Sequence, residues 1–386
     1  MAKFSGISCG IKKDKKDLGL ILPDDGSTVF GFFTSNRIKS EAIERAQKII
    51  GGRPNNKIKA VYVLSGNALC RYFGVEKDIQ TLVKKFSQDL TKFFSKTIKP
   101  DQIVLLSTGK IGVGLDVEKV LQNSYKSIES LHDDVSDFSE AILTTDTKPK
   151  VSKFEKNGLY ILGVAKGAGM IFPNFSHATT LSFVITNAYL PKGFERNAYE
   201  ILQKTIGSIN IDSSQSTNDS CVFIFENKRK FPEKLLKEGL QKVLGDLAFY
   251  IAEDGEGVRH VVRISVLKAQ SDRSAKNICS YISFSFLFRS SISGSSPDFG
   301  RVLSAIGSSG EKIGKIRAWV SRWDGSKRIE VIKNSKIITE NLKNAAEIMK
   351  DQKYNIQIDV GLKQNGKYSM LITDITEDYI AINKTM

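Results

Sequence analysis

A lysine in a glycine-rich turn and a threonine behind a small residue hold the most chemical promise in this chain. Gly163-Val164-Ala165-Lys166-Gly167-Ala168-Gly169 carries a strand-like run, residues 159–165, into a turn, and Ala178-Thr179-Thr180-Leu181 opens the next apolar run soon after. A threonine hydroxyl is a weak nucleophile at neutral pH, but cleavage of the chain just before it would free an α-amine to act as its general base. The spacing therefore suits Thr179 as a nucleophile exposed by a cut between Ala178 and Thr179. Lys166 is suited to neutralising a carboxylate or tuning an amine. Thr108-Gly109 ends another strand-like run, where a hydroxyl and a backbone N–H can point at one oxyanion. Thr144-Thr145-Asp146-Thr147 forms a polar cluster, and Glu256 is a carboxylate held between two glycines.

These residues need elements to hold them. Residues 58–64 read as a buried strand entering the turn Ser65-Gly66-Asn67-Ala68. Ile79, Leu82, Val83, Phe86, Leu90, Phe93 and Phe94 recur at helical spacing, so one face of that helix should lie on a sheet. Residues 103–106 make a short strand, and Asp116 is placed to cap a helix that buries Val117, Val120, Leu121, Tyr125, Ile128 and Leu131. Further along, 235–251 and 340–349 read as helices and 329–338 and 356–360 as strands, while 281–288 fits either. The class is α/β or α+β, and the lack of a low-complexity linker predicts two intimately packed lobes.

Two motifs are decoys. Gly6-Ile7-Ser8-Cys9-Gly10 matches a nucleophile-elbow pattern, but no strand is expected before it. Gly310-Glu311-Lys312-Ile313-Gly314-Lys315 lacks a spacer residue and the Ser or Thr of a phosphate loop. The formal charge of +15 is spread along the chain without an RNA-binding signature, so nucleic acid is not an expected partner, whereas acidic small molecules are. Cys9, Cys70, Cys221 and Cys279 form no CxxC pair, and His132, His177 and His260 lie far apart, so neither a metal site nor a disulfide is expected. The absence of a membrane-length apolar run or a signal-like N-terminus predicts a cytoplasmic protein.

Read in order, these turns resemble the ornithine acetyltransferase family, the bifunctional glutamate N-acetyltransferases of the cyclic arginine-biosynthesis route. The likeness covers nearly the whole chain: Gly6 to Leu22, Phe33-Thr34-Ser35-Asn36-Arg37, Ser65-Gly66-Asn67-Ala68, Ser107 to Gly112, Thr144 to Lys150, Ala165 to Ile171, Ala178-Thr179, Ser216-Thr217-Asn218-Asp219, Asp254-Gly255-Glu256-Gly257, Phe299-Gly300-Arg301-Val302 and Asp374 to Tyr379. The resemblance implies the family's mixed α/β fold with an internal autocleavage site between Ala178 and Thr179. It yields segments 1–178 and 179–386 that stay associated, usually as a dimer of such pairs. It further implies that Thr179 takes an acetyl group from N2-acetylornithine and passes it to glutamate through an acetyl-enzyme, with no bound cofactor. Some members also use acetyl-CoA as a co-substrate. By the same match, Thr108 and Gly109 form the oxyanion hole, and Thr144, Lys166, Glu256 and Asn383 hold substrate together with Thr179.

The chain departs from the family pattern in three places. Phe175-Ser176-His177 adds two residues before Ala178-Thr179. Ser296, Asp298 and Phe299 stand where the family has Asp, Asn and Trp, and Arg289 replaces a lysine. The chain also stops at Met386, before a hydroxyl residue of the family's tail. These changes bear on substrate choice and on cleavage. They keep two alternatives open: a related acyltransferase or amidohydrolase with another amino-acid substrate, and a processing-deficient, non-catalytic homologue.

Overall fold

Alternating buried side chains explain how the first layers assemble in the computed structural model, which describes residues 1–172 and 180–384. Two compact units divide the chain, one formed by 1–207 with 214–251 and the other by 208–213 with 252–386. The segments 1–178 and 179–386 expected from the sequence are a division of another kind, set by an expected cut in the covalent chain.

Among the described residues of the first unit there are two sheets. One has the order β1 (Lys3–Ile7), β2 (Leu18–Leu22), β4 (Ala60–Asn67), β5 (Ile103–Lys110), and β4 and β5 run parallel. The other has the order β3 (Thr28–Phe33), β10 (Ser220–Arg229), β8 (Leu181–Ala188), β7 (Leu159–Lys166), β6 (Lys150–Lys156). Successive strand residues face opposite ways. Val61, Val63, Val104 and Leu106 thus join Leu162, Val164, Phe183, Ile185, Val222 and Ile224 in a core between the sheets. Tyr62, Leu64 and Leu105 face the other way, onto α2 (Val75–Phe94) and α3 (Val117–Glu129). The outer face of the second sheet meets α5 (Phe194–Lys204), where Phe194 lies against Phe225 with ring centroids 6.2 Å apart. It also meets α6 (Glu233–Glu253), whose Val243 and Leu247 occupy the space that a side chain on Gly163 would fill. The result is helix, sheet, sheet, helix, with both sheets buried on both faces. That is why their strands read as apolar runs. Two short helices, α1 (Glu41–Ile50) and α4 (Ser136–Ala141), close the edges of the inner core through Ile43, Ala46, Ile50 and Phe138.

In the second unit one sheet has the order β14 (Lys336–Ile337), β13 (Arg328–Lys333), β12 (Arg317–Arg322), β15 (Lys353–Asp359), β11 (Val261–Ala269), β16 (Gly366–Thr373), β9 (Ile209–Asn210). Val262, Ile264, Val266, Val320, Ile356 and Ile358 are buried, alternating with Arg263, Ser265, Trp319, Asn355 and Gln357. One face is therefore covered and the other polar. Helices α7 (Asp272–Phe284), α8 (Phe286–Ser293), α9 (Phe299–Ser308), α10 (Leu342–Met349) and α11 (Glu377–Asn383) complete the unit.

Most expected elements are present with shifted ends. The strand expected from 58 starts at Ala60, and the strand expected over 103–106 continues to Lys110, carrying Thr108 and Gly109 inside it. The ambiguous 281–288 is helical, broken at Ser285, whose side chain accepts the Phe288 N–H to start α8. Three expectations need correction. The strand expected over 329–338 is a hairpin of β13 and β14, which turns at Asn334 and Ser335, both with positive φ. Asp116 sits at the start of α3 without a side-chain cap, because its carboxylate pairs instead with Lys119 at 3.3 Å. A strand, β1, does precede Ser8. What denies the elbow is the loop that follows, where a helix would be needed. Among the described residues no helix is long and apolar enough to cross a membrane.

Candidate active site

The ends of β4 and β5 approach so closely that a side chain at Gly109, in β5, would collide with the β4 backbone. Gly109 has φ +135°, and a Cβ there would overlap the backbone of Gly66. The approach is tied by Asn218, whose side-chain amide donates to Ala68 O (2.7 Å), Ser107 O (2.9 Å) and Ser107 Oγ (3.0 Å). The Ser107 hydroxyl donates to Ala68 O at 2.7 Å. Thr108-Gly109 is therefore presented from a rigid strand end. Gly109→Ala is expected to cost roughly 2–4 kcal/mol, combining a backbone conformation that disfavours side chains with overpacking. Urea unfolding checks this, and a variant as stable as the parent would contradict the close approach.

Lys166 ends β7 and is nearly buried. Its Nζ donates to Thr144 Oγ1 at 2.6 Å and to Thr108 Oγ1 at 3.3 Å, so a hydroxyl from the loop after α4 and one from the end of β5 meet at one ammonium. Asp146 holds that ammonium from behind, with Oδ2 3.8 Å away. The same carboxylate binds Lys150 Nζ at 2.6 Å and accepts the Gly167 N–H at 2.6 Å, and both Asp146 and Lys150 side chains are fully buried. It also accepts the N–H of Thr144 at 3.1 Å and its hydroxyl at 3.4 Å, which holds Thr144 in place from two residues further on. Burial alone would raise the Asp146 carboxyl. The Lys166 and Lys150 charges and the hydrogen bonds from Lys150 and Gly167 outweigh it and hold the group below the usual carboxylate range.

In the second unit, Asn383 Nδ2 donates to Glu256 Oε2 at 2.9 Å. They are 127 positions apart, and the α11 start brings them together. Thr376 caps that helix by accepting the Tyr379 N–H at 3.3 Å while donating to Gly257 O at 2.6 Å. Gly257 has φ +68°, and a Cβ on it would overlap the Tyr379 backbone. Arg289, the departure from the expected lysine, is wholly buried and donates to Ile211 O, to Thr373 O at 2.7 Å and to Thr373 Oγ1 at 3.0 Å. Burial draws its guanidinium down to about 10. It ties Ile211 to the end of β16.

The structure thus joins Thr108, Thr144 and Lys166, and separately Glu256 and Asn383. Ala178 and Thr179, with Phe175-Ser176-His177, lie outside the described residues. Thr180, covalently next to Thr179, is buried against Gly167, to which a Cβ would bring its methyl within 3.0 Å. Its hydroxyl has no hydrogen-bond partner among the described residues. The reading of single turns missed Asp146, Lys150 and Asn218, although an acid two residues after Thr144 and a lysine four after the acid were visible as a pattern. All four cysteines are buried and unpaired. Among the described residues no group of three or more His, Cys, Asp or Glu side chains is placed to hold a metal ion.

Comparison with known proteins bears on this constellation. The sequence model of the ArgJ family matches residues 3–385. The arginine biosynthesis bifunctional protein ArgJ of Thermotoga neapolitana is 31% identical over 98% of this chain and 97% of its own length. The glutamate N-acetyltransferase of Methanocaldococcus jannaschii is 30% identical over 97% of this chain and 94% of its own. The crystal structure of the bifunctional ArgJ protein from Bacillus halodurans aligns with 27% identity and a TM-score of 0.47, covering 53% of this chain and 98% of that one. With a match that spans almost every described element and relatives that align end to end, this chain belongs to the ArgJ family.

Proposed function

We propose that this chain is a self-cleaving acetyltransferase that moves the acetyl group of N2-acetylornithine to the amino group of glutamate, in the arginine pathway for which its relatives are named. The observation that carries the reading is the meeting of Lys166, Thr144 and Thr108 beside Gly167, against which Thr180 packs. In this reading, cleavage between Ala178 and Thr179 frees the α-amine of Thr179, which then deprotonates the Thr179 hydroxyl. That oxygen attacks the acetyl carbonyl, ornithine leaves with the proton, and glutamate attacks the resulting ester. Thr108 and the Gly109 N–H supply the oxyanion donors. Lys166 pairs with an amino-acid carboxylate, and Glu256, oriented by Asn383, pairs with the ornithine ammonium. The bifunctional relatives suggest acetyl-CoA as a second acetyl donor. We assign the enzyme to the cytoplasm, as associated fragments 1–178 and 179–386 in a dimer of such pairs.

The intact mass of freshly purified protein, with N-terminal sequencing of any fragments, tests this directly. Two fragments, the second beginning Thr179-Thr180-Leu181, followed by acetylornithine-to-glutamate transfer, uphold it. One uncut, inactive chain favours instead a processing-deficient homologue in which the residues added before Ala178 have disabled cleavage. Cleaved protein without acetylornithine activity points to another amino-acid derivative as substrate. Glu256→Ala is expected to cleave normally and to lose about 10- to 100-fold in kcat/KM for acetylornithine, the worth of one charge-assisted hydrogen bond. Normal kinetics in that variant would remove Glu256 from the site.

A further inference from the structure

Lys12 lies in the stretch from Gly6 to Leu22 and has no role assigned above, yet its side chain touches both arms of the candidate site. Its Nζ donates to Leu143 O at 2.8 Å and Ala141 O at 3.3 Å, the carbonyls just before Thr144. Its aliphatic stem lies against Gly66, where a Cβ would come within 3.0 Å of Lys12 Cγ, and Gly66 is the backbone on which Gly109 rests. Lys12 itself is fixed from below. The buried Asp17 carboxylate accepts the N–H groups of Cys9 (2.6 Å), Ile11 (2.7 Å) and Lys12 (3.0 Å), so residues 9–12 are pinned before the side chain starts.

We propose that Lys12 is a positioning residue of this site, its ammonium clamping the turn that presents Thr144 to Lys166. The proposal rests on the transfer reaction for its activity test, but the charge coupling behind it does not. A cation stiffens the two carbonyls more than a neutral amine does, since hydrogen bonds from a charged donor are roughly twice as strong. The charged groups acting on Lys12 are Asp17, Lys15, Lys166 and Asp146. Burial lowers its ammonium to about 8, Lys15 and Lys166 push the same way, and Asp17 and Asp146 oppose them. Lys12 is therefore charged at pH 7 and largely neutral at pH 9, and the clamp loosens across that interval.

The test measures kcat/KM for acetylornithine-to-glutamate transfer from pH 6 to 10 in the parent, Lys12→Arg and Lys12→Met. The parent should lose activity on the alkaline side with a midpoint near 8. Lys12→Arg, whose guanidinium does not titrate in this range, should carry that limb upward by more than one pH unit. Lys12→Met should lack the limb and be about 10- to 100-fold slower at pH 7. The acid limb, set by the Thr179 amine, should stay in place in all three. An unchanged alkaline limb in both variants overturns the proposal. If the parent transfers no acetyl group, the reading of its function fails and Lys12 is judged separately. Competitive labelling with acetic anhydride, read by mass spectrometry across pH, gives its titration without any activity. A midpoint near 8 that rises in Lys166→Met upholds the coupling; an ordinary lysine midpoint, about 10.4, unmoved by Lys166→Met, overturns it.

Discussion

Thr179→Ala is expected to purify as one uncut chain and to transfer no acetyl group. In the proposed reaction the same oxygen serves twice, first in attack on the Ala178 carbonyl and then in attack on the acetyl donor. Alanine removes that oxygen together with the γ-methyl group, leaving no atom able to attack. Loss of a nucleophile that works as a unit with its base and oxyanion donors costs at least about 10⁴-fold in kcat, so residual turnover should fall below detection in an ordinary assay. Thr179→Ser, which retains a hydroxyl, is the control and should still cleave and turn over at a reduced rate. Intact mass and single-turnover transfer read both steps. A cleaved and active Thr179→Ala would end the nucleophile assignment.

Asp146→Asn is the second large effect, and it appears first in stability. The carboxylate is the shared counterion of Lys150 and Lys166, in a place where the side chains of Asp146 and Lys150 have no solvent exposure. Asparagine matches the shape but leaves two buried ammonium groups without their negative partner. Breaking a buried pair from one side costs about 3–5 kcal/mol. Its pH dependence follows from the depressed carboxyl. A group whose folded value lies below the unfolded value of about 3.9 contributes its full stability above that value and loses it as pH falls through the folded one. The gap between the parent and Asp146→Asn should therefore be widest from pH 5 to 7 and close progressively below about pH 4. Urea unfolding at pH 7, 5 and 3 measures it; a gap that stays constant with pH would show that the charge is not what Asp146 contributes. Because Asp146 also aims Thr144 and Lys166, kcat/KM should fall about 100-fold in folded variant protein, the usual cost of a misplacement near 1 Å.

The local elements of the site were legible in sequence because each depends on neighbours in the chain. Ile79, Leu82, Val83, Phe86 and Leu90 declared α2 by their period, and the apolar runs at 103–106, 159–165 and 181–185 declared β5, β7 and β8. The glycines beside the ends of β5 and β7, and the pair that follows α6, marked where Thr108, Lys166 and Glu256 would stand. Asp116 misled because capping is a competition, and Lys119 one turn on is the better partner for its carboxylate. The missing strand before Ser8 misled because Lys3–Ile7 is too short to show a period of its own, and its pairing with β2 is what makes it a strand.

By itself, then, the sequence determined the alternation of strands and helices, the glycine turns, and the residue types able to act as nucleophile, cation and carboxylate. Periodicity and turn chemistry are local, and they survive reading one residue at a time. Only the tertiary structure decided that the Lys166 ammonium meets Thr144 and Thr108, that Asp146 and Lys150 sit behind it, that Asn383 reaches Glu256, and that Lys12 reaches the turn before Thr144. Those contacts join residues from 4 to 131 positions apart. Their strength comes from burial, which removes the water that would otherwise screen each charge. Neither the separation across the fold nor the exclusion of water is written in any short window of the chain.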